Sequence, residues 1–366
     1  MRRRLMMSHE RKENMSNYLS FLALQDGLAV RFSSSGLNYC IDGGEWKELA
    51  PNTDTPRINQ GQKVSFKGNL IPATGTSGIG VFSTSGNATC ALQGNIMSLL
   101  YGDDFKGQAE LTRTYIFYML FSGCSHLIDA SELKLPATTL TSYCYYYLFK
   151  DCVNLLKSPK LPALELADHC YQDFFSGCNR LEIFPDLPAT NLKVGCYQGM
   201  FYRCYGLKTT PDLPATIAAA DCYRSMFRYC SGIEALGHIA LTKMASNCFR
   251  DAFYGATSLQ EVPELFFTDL AEYCCYEMFG SCTSLTKVNK LPATSLAPYC
   301  YAKMFEKSSN LKYVKMLATD VSASNSMANW MSGVSSSGIF VKNKDAKWTN
   351  TGASGVPSGW KIEYEQ

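Results

Sequence analysis

The stretch Leu187-Pro188-Ala189, followed by Cys196-Tyr197-Gln198-Gly199-Met200-Phe201-Tyr202-Arg203-Cys204-Tyr205-Gly206-Leu207, is one copy of a unit that recurs every 26 residues. Leu-Pro-Ala returns at Leu135, Leu161, Leu213 and Leu291. At Ile239 and Leu265 the apolar anchor survives without its proline. A fixed period of this length means that one supersecondary unit is stacked repeatedly, each unit burying the apolar face of its neighbour. In such a scaffold the usual output is an extended surface for binding.

The copies align with one another. Taking the leucine after the second cysteine as an anchor gives Leu127, Leu155, Leu181, Leu207, Ile233, Leu259, Leu285 and Leu311. These define about eight coils, the first carrying a two-residue insertion near Ser131 and Glu132. An unbroken phenylalanine column (Phe121, Phe149, Phe175, Phe201, Phe227, Phe253, Phe279, Phe305) predicts a stacked aromatic spine. The segment after each anchor is short and β-prone, interrupted by Pro159, Pro185, Pro211 or Pro263. Proline cannot donate to a ladder and belongs at a bulge or strand end. After Leu-Pro-Ala, the spacing of Leu192, Cys196, Met200 and Phe201 predicts one face of a helix. The fold class expected is therefore an α/β solenoid, a leucine-rich-repeat array with leucine in its recurrent core positions.

The motif Cys-Tyr-x-x-Met-Phe-x-x-Cys-x-x-Leu, spelled out from Cys196 to Leu207, resembles the BspA-like leucine-rich repeats, the Treponema-pallidum-type bacterial class. The resemblance covers residues 116–319. It implies a solenoid with a strand on one side and a helix on the other. It also implies a role in adhesion or recognition at the surface of Bacteroidetes or in their phages. The unit here is longer than the commoner one because its strand segment is interrupted by proline.

Cysteine forms two further columns. The first is Cys144, Cys170, Cys196, Cys222, Cys248, Cys274 and Cys300; the second is Cys124, Cys152, Cys178, Cys204, Cys230 and Cys282. One disulfide per coil would lose both partners together. Yet Ala256 and Ser308 replace the second cysteine while Cys248 and Cys300 remain. The expectation is buried free thiols acting as compact hydrophobes. No Cys-x-x-Cys and only four histidines are present, so no metal site is expected.

The flanks differ from the array. Residues 1–14 carry five basic and two acidic side chains without an apolar core segment, and read as a disordered leader. Residues 15–105 alternate short apolar runs (18–23, 28–32, 63–66, 79–82) with Gly/Ser turns, predicting a small antiparallel β domain with Trp46 in its core. Residues 95–101 read as a short helix able to cap the first coil, before an array over 106–319. Residues 320–366 read as a C-terminal cap, with a last helix over 322–334 and strands over 338–341 and 360–364.

A net charge of +2 argues against nucleic acid, and no window is long and apolar enough to span a membrane. No nucleophile elbow, zinc-protease motif or phosphate loop is present, so no catalytic residue, metal or cofactor is expected. His169, beside Cys170, reads as an exposed helix residue. Recognition is expected where the copies disagree. Two positions after the anchor stand Lys157, Ile183, Thr209, Ala235, Glu261, Lys287 and Tyr313; five after it stand Lys160, Asp186, Asp212, His238, Glu264, Lys290 and Met316. The array carries 18 acidic and 18 basic residues over 116–319, a balance that suits a protein or carbohydrate ligand. The function expected is a non-enzymatic recognition or adhesion module at the cell surface. The alternatives are a phage virion or tail accessory protein that self-assembles through the N-terminal β domain, and an intracellular scaffold.

Overall fold

Short runs with one apolar face pair into a sheet because a strand presents alternate side chains to opposite faces. The computed structural model describes residues 17–70 and 77–365, so the expected leader over 1–14 lies outside the described residues. The chain divides into two compact units, one of residues 1–165 and 177–186, the other of residues 166–176 and 187–366.

In the first unit, β1 (Leu19–Ala23), β3 (Leu37–Ile41), β4 (Lys47–Leu49), β5 (Lys63–Gly68), β7 (Cys90–Asn95) and β8 (Leu127–Lys134) form a six-stranded sheet in the order β4-β3-β5-β1-β7-β8. β2 (Ala29–Phe32) pairs separately with β6 (Phe82–Ser85), so the expected run over 79–82 joins its strand only at its last residue. The core is a cluster of phenylalanine rings, Phe21, Phe32, Phe66 and Phe82, all fully buried. Trp46 is not in that core. It lies half-buried against Tyr18, at 5.1 Å between ring centroids, and under the Lys67 ammonium. The helix α1 (Ser98–Tyr101) falls within the expected segment. What covers the first coil, however, is strand β7, which runs parallel to β8.

Most coils that stay out of the sheets carry proline in the segment after the anchor. The coils with Pro159, Pro185 and Pro211 meet their neighbours through single bridges, such as Lys157 with Ile183 in the first unit and Thr209 with Ala235 in the second. Each of these prolines removes an N–H that a ladder would use. Without proline the segment extends in β8, but not after Ile233, where Gly237 holds the proline position and the coil again meets its neighbour through single bridges such as that of Ala235. In the second unit β9 (Glu261–Glu264), β10 (Lys287–Leu291), β11 (Tyr313–Met316), β12 (Gly338–Lys342) and β13 (Trp360–Tyr364) form a parallel five-stranded sheet in sequence order. They make about four turns of a β-solenoid. Pro263 sits in β9, at the edge of that sheet. The strands expected near 338 and 360 are β12 and β13.

The expected helix of each coil is absent among the described residues, and so is the one over 322–334. Every fourth residue instead takes a left-handed conformation: Gly195 (φ 56°), Gly199 (φ 62°) and Arg203 (φ 60°) in one coil, Asn247, Asp251 and Gly255 in another. A left-handed residue interrupts the i→i−4 ladder of an α-helix. The backbone bonds then alternate. Gln198 and Met200 close turns onto Gly195 and Tyr197, while Tyr197, Gly199 and Phe201 donate to Cys222, Arg224 and Met226 of the next coil. Both sides of a coil are thus tied to the next by backbone hydrogen bonds, and buried peptide groups are satisfied.

The apolar columns point inward as expected. Phe201–Phe227, Phe227–Phe253 and Phe253–Phe279 stack at 5.3 Å between centroids with planes within 8°. That is the offset-stacked arrangement aromatic rings favour. All sixteen cysteines are buried and unbridged. The second column does more than fill space. Cys204 Sγ donates to the Phe175 carbonyl at 3.2 Å, and Cys230 Sγ to Phe201 at 2.9 Å. Of the two replacements, Ser308 donates to Phe279 at 2.8 Å and keeps both the bond and the volume, whereas Ala256 gives up the donor.

Candidate binding surface on the strand side

The two variable columns read from the repeats are physical rows. In the first unit Lys157 is bridged to Asp129 on one side and Ile183 on the other. In the second unit Glu261, Lys287 and Tyr313 face one another across β9, β10 and β11, and the row continues through Ile339 and Lys361. Parallel neighbours stand ~4.8 Å apart, so each row offers a ladder of unlike side chains. Lys157, Ile183, Thr209, Glu261 and Lys287 are exposed, and Tyr313 is half-buried.

The second column is less uniform. Lys160 and Asp186 are exposed in the first unit. In the second, Asp212 is tied down, its carboxylate accepting the His238 N–H at 2.7 Å. Glu264 pairs with Lys290 at 2.7 Å. Met316 departs from the expectation: it is fully buried and faces Leu291. β10 carries an extra residue between Val288 and Leu291, which keeps Lys290 off the inward face; β11 lacks it, so Met316, two residues after the buried Val314, alternates inward.

Opposite charges pair across neighbouring coils at several points. Lys157–Asp129 (3.1 Å) lies in the first unit; Lys208–Glu234 (2.9 Å) and Lys287–Glu261 (3.7 Å) lie in the second. Asp129 is half-buried and the other partners are exposed, and exposed pairs of this kind contribute ~0–1 kcal/mol. The Asp129 carboxyl is held below its usual range: burial opposes this, but hydrogen bonds from Ser131 and Lys157 outweigh it.

In the second unit the rows border a groove of about 750 Å³. Glu234, Gln260, Glu261 and Glu264 line it along with Asn289, Lys290 and Lys315. The Asn289 amide donates to the Glu261 carboxylate and, at 3.2 Å, to the Val262 carbonyl. Lys315 pairs with Glu365 at 2.8 Å. Sequence reasoning found Glu261, Glu264 and Lys290 of this set but missed Glu234, Gln260, Asn289 and Lys315. These flank the two columns, and only the strand register shows that they converge. The mix of carboxylates, ammonium groups and amides equips the groove to hydrogen-bond a polar ligand. Among the described residues no three of the His, Cys, Asp and Glu side chains are grouped to hold a metal ion.

His169 differs from the expectation. It is half-buried with φ 56°, in a left-handed turn against Gly195 rather than on an exposed helix. No helix among the described residues is long and apolar enough to cross a membrane. Compared with protein-family models, with curated proteins and with solved structures, the chain matches none.

Proposed function

We propose that this chain is a non-catalytic recognition or adhesion module that binds a protein or glycan through the strand side of its repeats. The observation that carries the reading is the row Glu261–Lys287–Tyr313–Ile339–Lys361. Acid, base, phenol and aliphatic groups follow one another there in register. A rigid scaffold with chemically varied exposed positions is where recognition is commonly placed. The finer reading is a leucine-rich-repeat array of about eight 26-residue coils, BspA-like in its Cys-Tyr-x-x-Met-Phe-x-x-Cys-x-x-Leu motif. On that resemblance the module works at a bacterial cell surface or on a phage.

The test is a screen of the purified chain against host glycans and matrix proteins, repeated with Glu261→Lys/Glu264→Lys. The expected result is a ligand whose affinity falls at least about tenfold, as removal of one or two charged contacts would cause, while the thermal midpoint stays within a few degrees. Unchanged affinity for an identified ligand would exclude this face. Protease shaving of intact source cells, beside analysis of purified phage particles, tests the location. Peptides found only in cytosol would sink the surface reading.

A further inference from the structure

The inward column of the solenoid changes character at its last turns. Leu291 on β10 and Met316 on β11 face each other and are fully buried. The next residue in register is Lys342 on β12, which is only 4% exposed. An apolar position has been given a charge. The Lys342 ammonium donates one hydrogen bond, to the Trp348 carbonyl at 2.5 Å, and lies 3.8 Å from the centroid of the Trp348 ring. That ring is itself fixed, because Trp348 Nε1 donates to the Ala318 carbonyl at 2.8 Å. The neighbouring carboxylates are committed elsewhere, Glu365 to Lys315 and Glu363 to Lys361. No carboxylate among the described residues pairs with Lys342, and burial alone pulls its ammonium below the ordinary lysine range.

A buried charge is ordinarily matched by an opposite charge, because desolvation is otherwise uncompensated. An ammonium carries three donors, and one carbonyl takes one of them. Lys342 also lines a cleft of about 460 Å³, with Lys347, Trp348, Asn350, Ile362 and Tyr364 among its walls and no Asp or Glu. Ile362 and Tyr364 are exposed at 41% and 57%, which leaves aliphatic and aromatic surface beside the charge.

We propose that this cleft binds an organic monocarboxylate with an aromatic or aliphatic body, whose carboxylate pairs with the Lys342 ammonium. Of the two lysines in the lining only Lys342 is buried, and the apolar walls beside it suit an organic body that phosphate lacks, so an organic monocarboxylate fits better than a phosphate dianion. The apolar walls would take the body of the ligand, and Asn350 and Thr351 supply neutral polar groups at the rim. This inference is independent of the strand-side groove.

The test uses the full chain with three probes: phenylacetate, its uncharged analogue phenylacetamide, and inorganic phosphate. Binding is followed by calorimetry and by the thermal midpoint. Phenylacetate should bind saturably and raise the midpoint, with phenylacetamide about tenfold or more weaker, the loss expected for one charge-assisted hydrogen bond. Lys342→Met, which restores the residue of the preceding strand, should fold and lose the preference for acid over amide. Lys344→Ala, at an exposed lysine outside the cleft lining, should keep it. Three results would overturn the proposal: no saturable binding of phenylacetate, equal binding of acid and amide, or an unchanged preference in Lys342→Met. Phosphate binding in place of phenylacetate would also reject the monocarboxylate. If Lys342→Met fails to fold, the comparison of acid with amide on the native chain still decides.

Discussion

Replacing Gly199 by alanine tests the left-handed turns directly. Gly199 sits at φ 62°, and a methyl group there would meet the Asp173 carboxylate of the preceding coil. A left-handed alanine costs ~1–2 kcal/mol. Restricting the unfolded chain returns ~0.4–1 kcal/mol. Displacing the Asp173 side chain from its rotamer adds ~0.5–1.5 kcal/mol. The net expectation is a loss of ~0.5–3 kcal/mol, read as a lower denaturation midpoint at constant slope. Gly333→Ala is the control: at φ 74° it has the same backbone problem, but its nearest neighbour, Lys307 Cα, is at an ordinary 3.5 Å. It should lose only the backbone part. Lys307→Gly should move the other way. Lys307 holds φ 63°, so glycine relieves strain and should gain ~0.5–1 kcal/mol. Were this side of the coil helical, that same glycine would lose ~1 kcal/mol. A destabilised Lys307→Gly, or a Gly199→Ala no worse than Gly333→Ala, would refute the arrangement.

Cys230→Ser should keep most of the native stability, because Ser308 makes the same bond in its own coil, whereas Cys230→Ala should lose ~1–2 kcal/mol through a cavity and a lost donor. Paired urea melts of the two variants decide it, and equal losses would mean that the donor contributes nothing. Burial pushes the thiols of Cys144, Cys196 and Cys282 up to about 12, so iodoacetamide at pH 8 should leave them unmodified in the folded chain and label them in denaturant, as read by intact mass. The Lys67 ammonium, and after it the Tyr18 hydroxyl, hold the Asp103 carboxyl below its usual range. Its folded value lies below the unfolded one. Its stabilisation is therefore complete above the ordinary aspartate value and is lost as pH falls through the folded one. Asp103→Asn should flatten the acid limb of stability against pH, and an unchanged limb would count against the contact.

The 26-residue period, the inward phenylalanine and cysteine columns and the end strands were all legible, because each is a matter of which side chains must meet. The turns were not, and the reason lies in the spacing. Leu192, Cys196, Met200 and Phe201 are all buried, as a helix face would require. A repeat of four residues and a helical period of 3.6 place the same apolar residues inward over a stretch this short. The discriminating signal was on the polar side. Asn247, Asp251 and Gly255 in one coil, and Asn325, Asn329 and Gly333 in the last, occupy every fourth position with the residues most tolerant of positive φ. The inward Met316 was beyond sequence reasoning because it depends on an extra residue that β10 carries and β11 lacks. Lys342 was passed over because it closes the apolar run of β12 and looks like the residue that ends the strand.

Stacking also explains why variation collects on the strand side. Phe227 packs on Phe201 and Phe253 at once, so a change there disturbs two neighbouring coils. Truncating such a ring costs ~3–5 kcal/mol, a large fraction of the stability of an ordinary domain. On the strand side, neighbouring coils meet through exposed pairs such as Lys208–Glu234, each contributing ~0–1 kcal/mol. Exchanging one of these residues leaves the backbone ladder intact, because the ladder uses N–H and carbonyl groups that every residue except proline supplies. The phenylalanine column is therefore held to one residue type, while Glu261, Lys287 and Tyr313 can differ at little cost. The same reasoning singles out Lys342. It is a departure inside a costly column, where solvent exposure cannot account for a charge and where the Trp348 carbonyl and ring meet the ammonium.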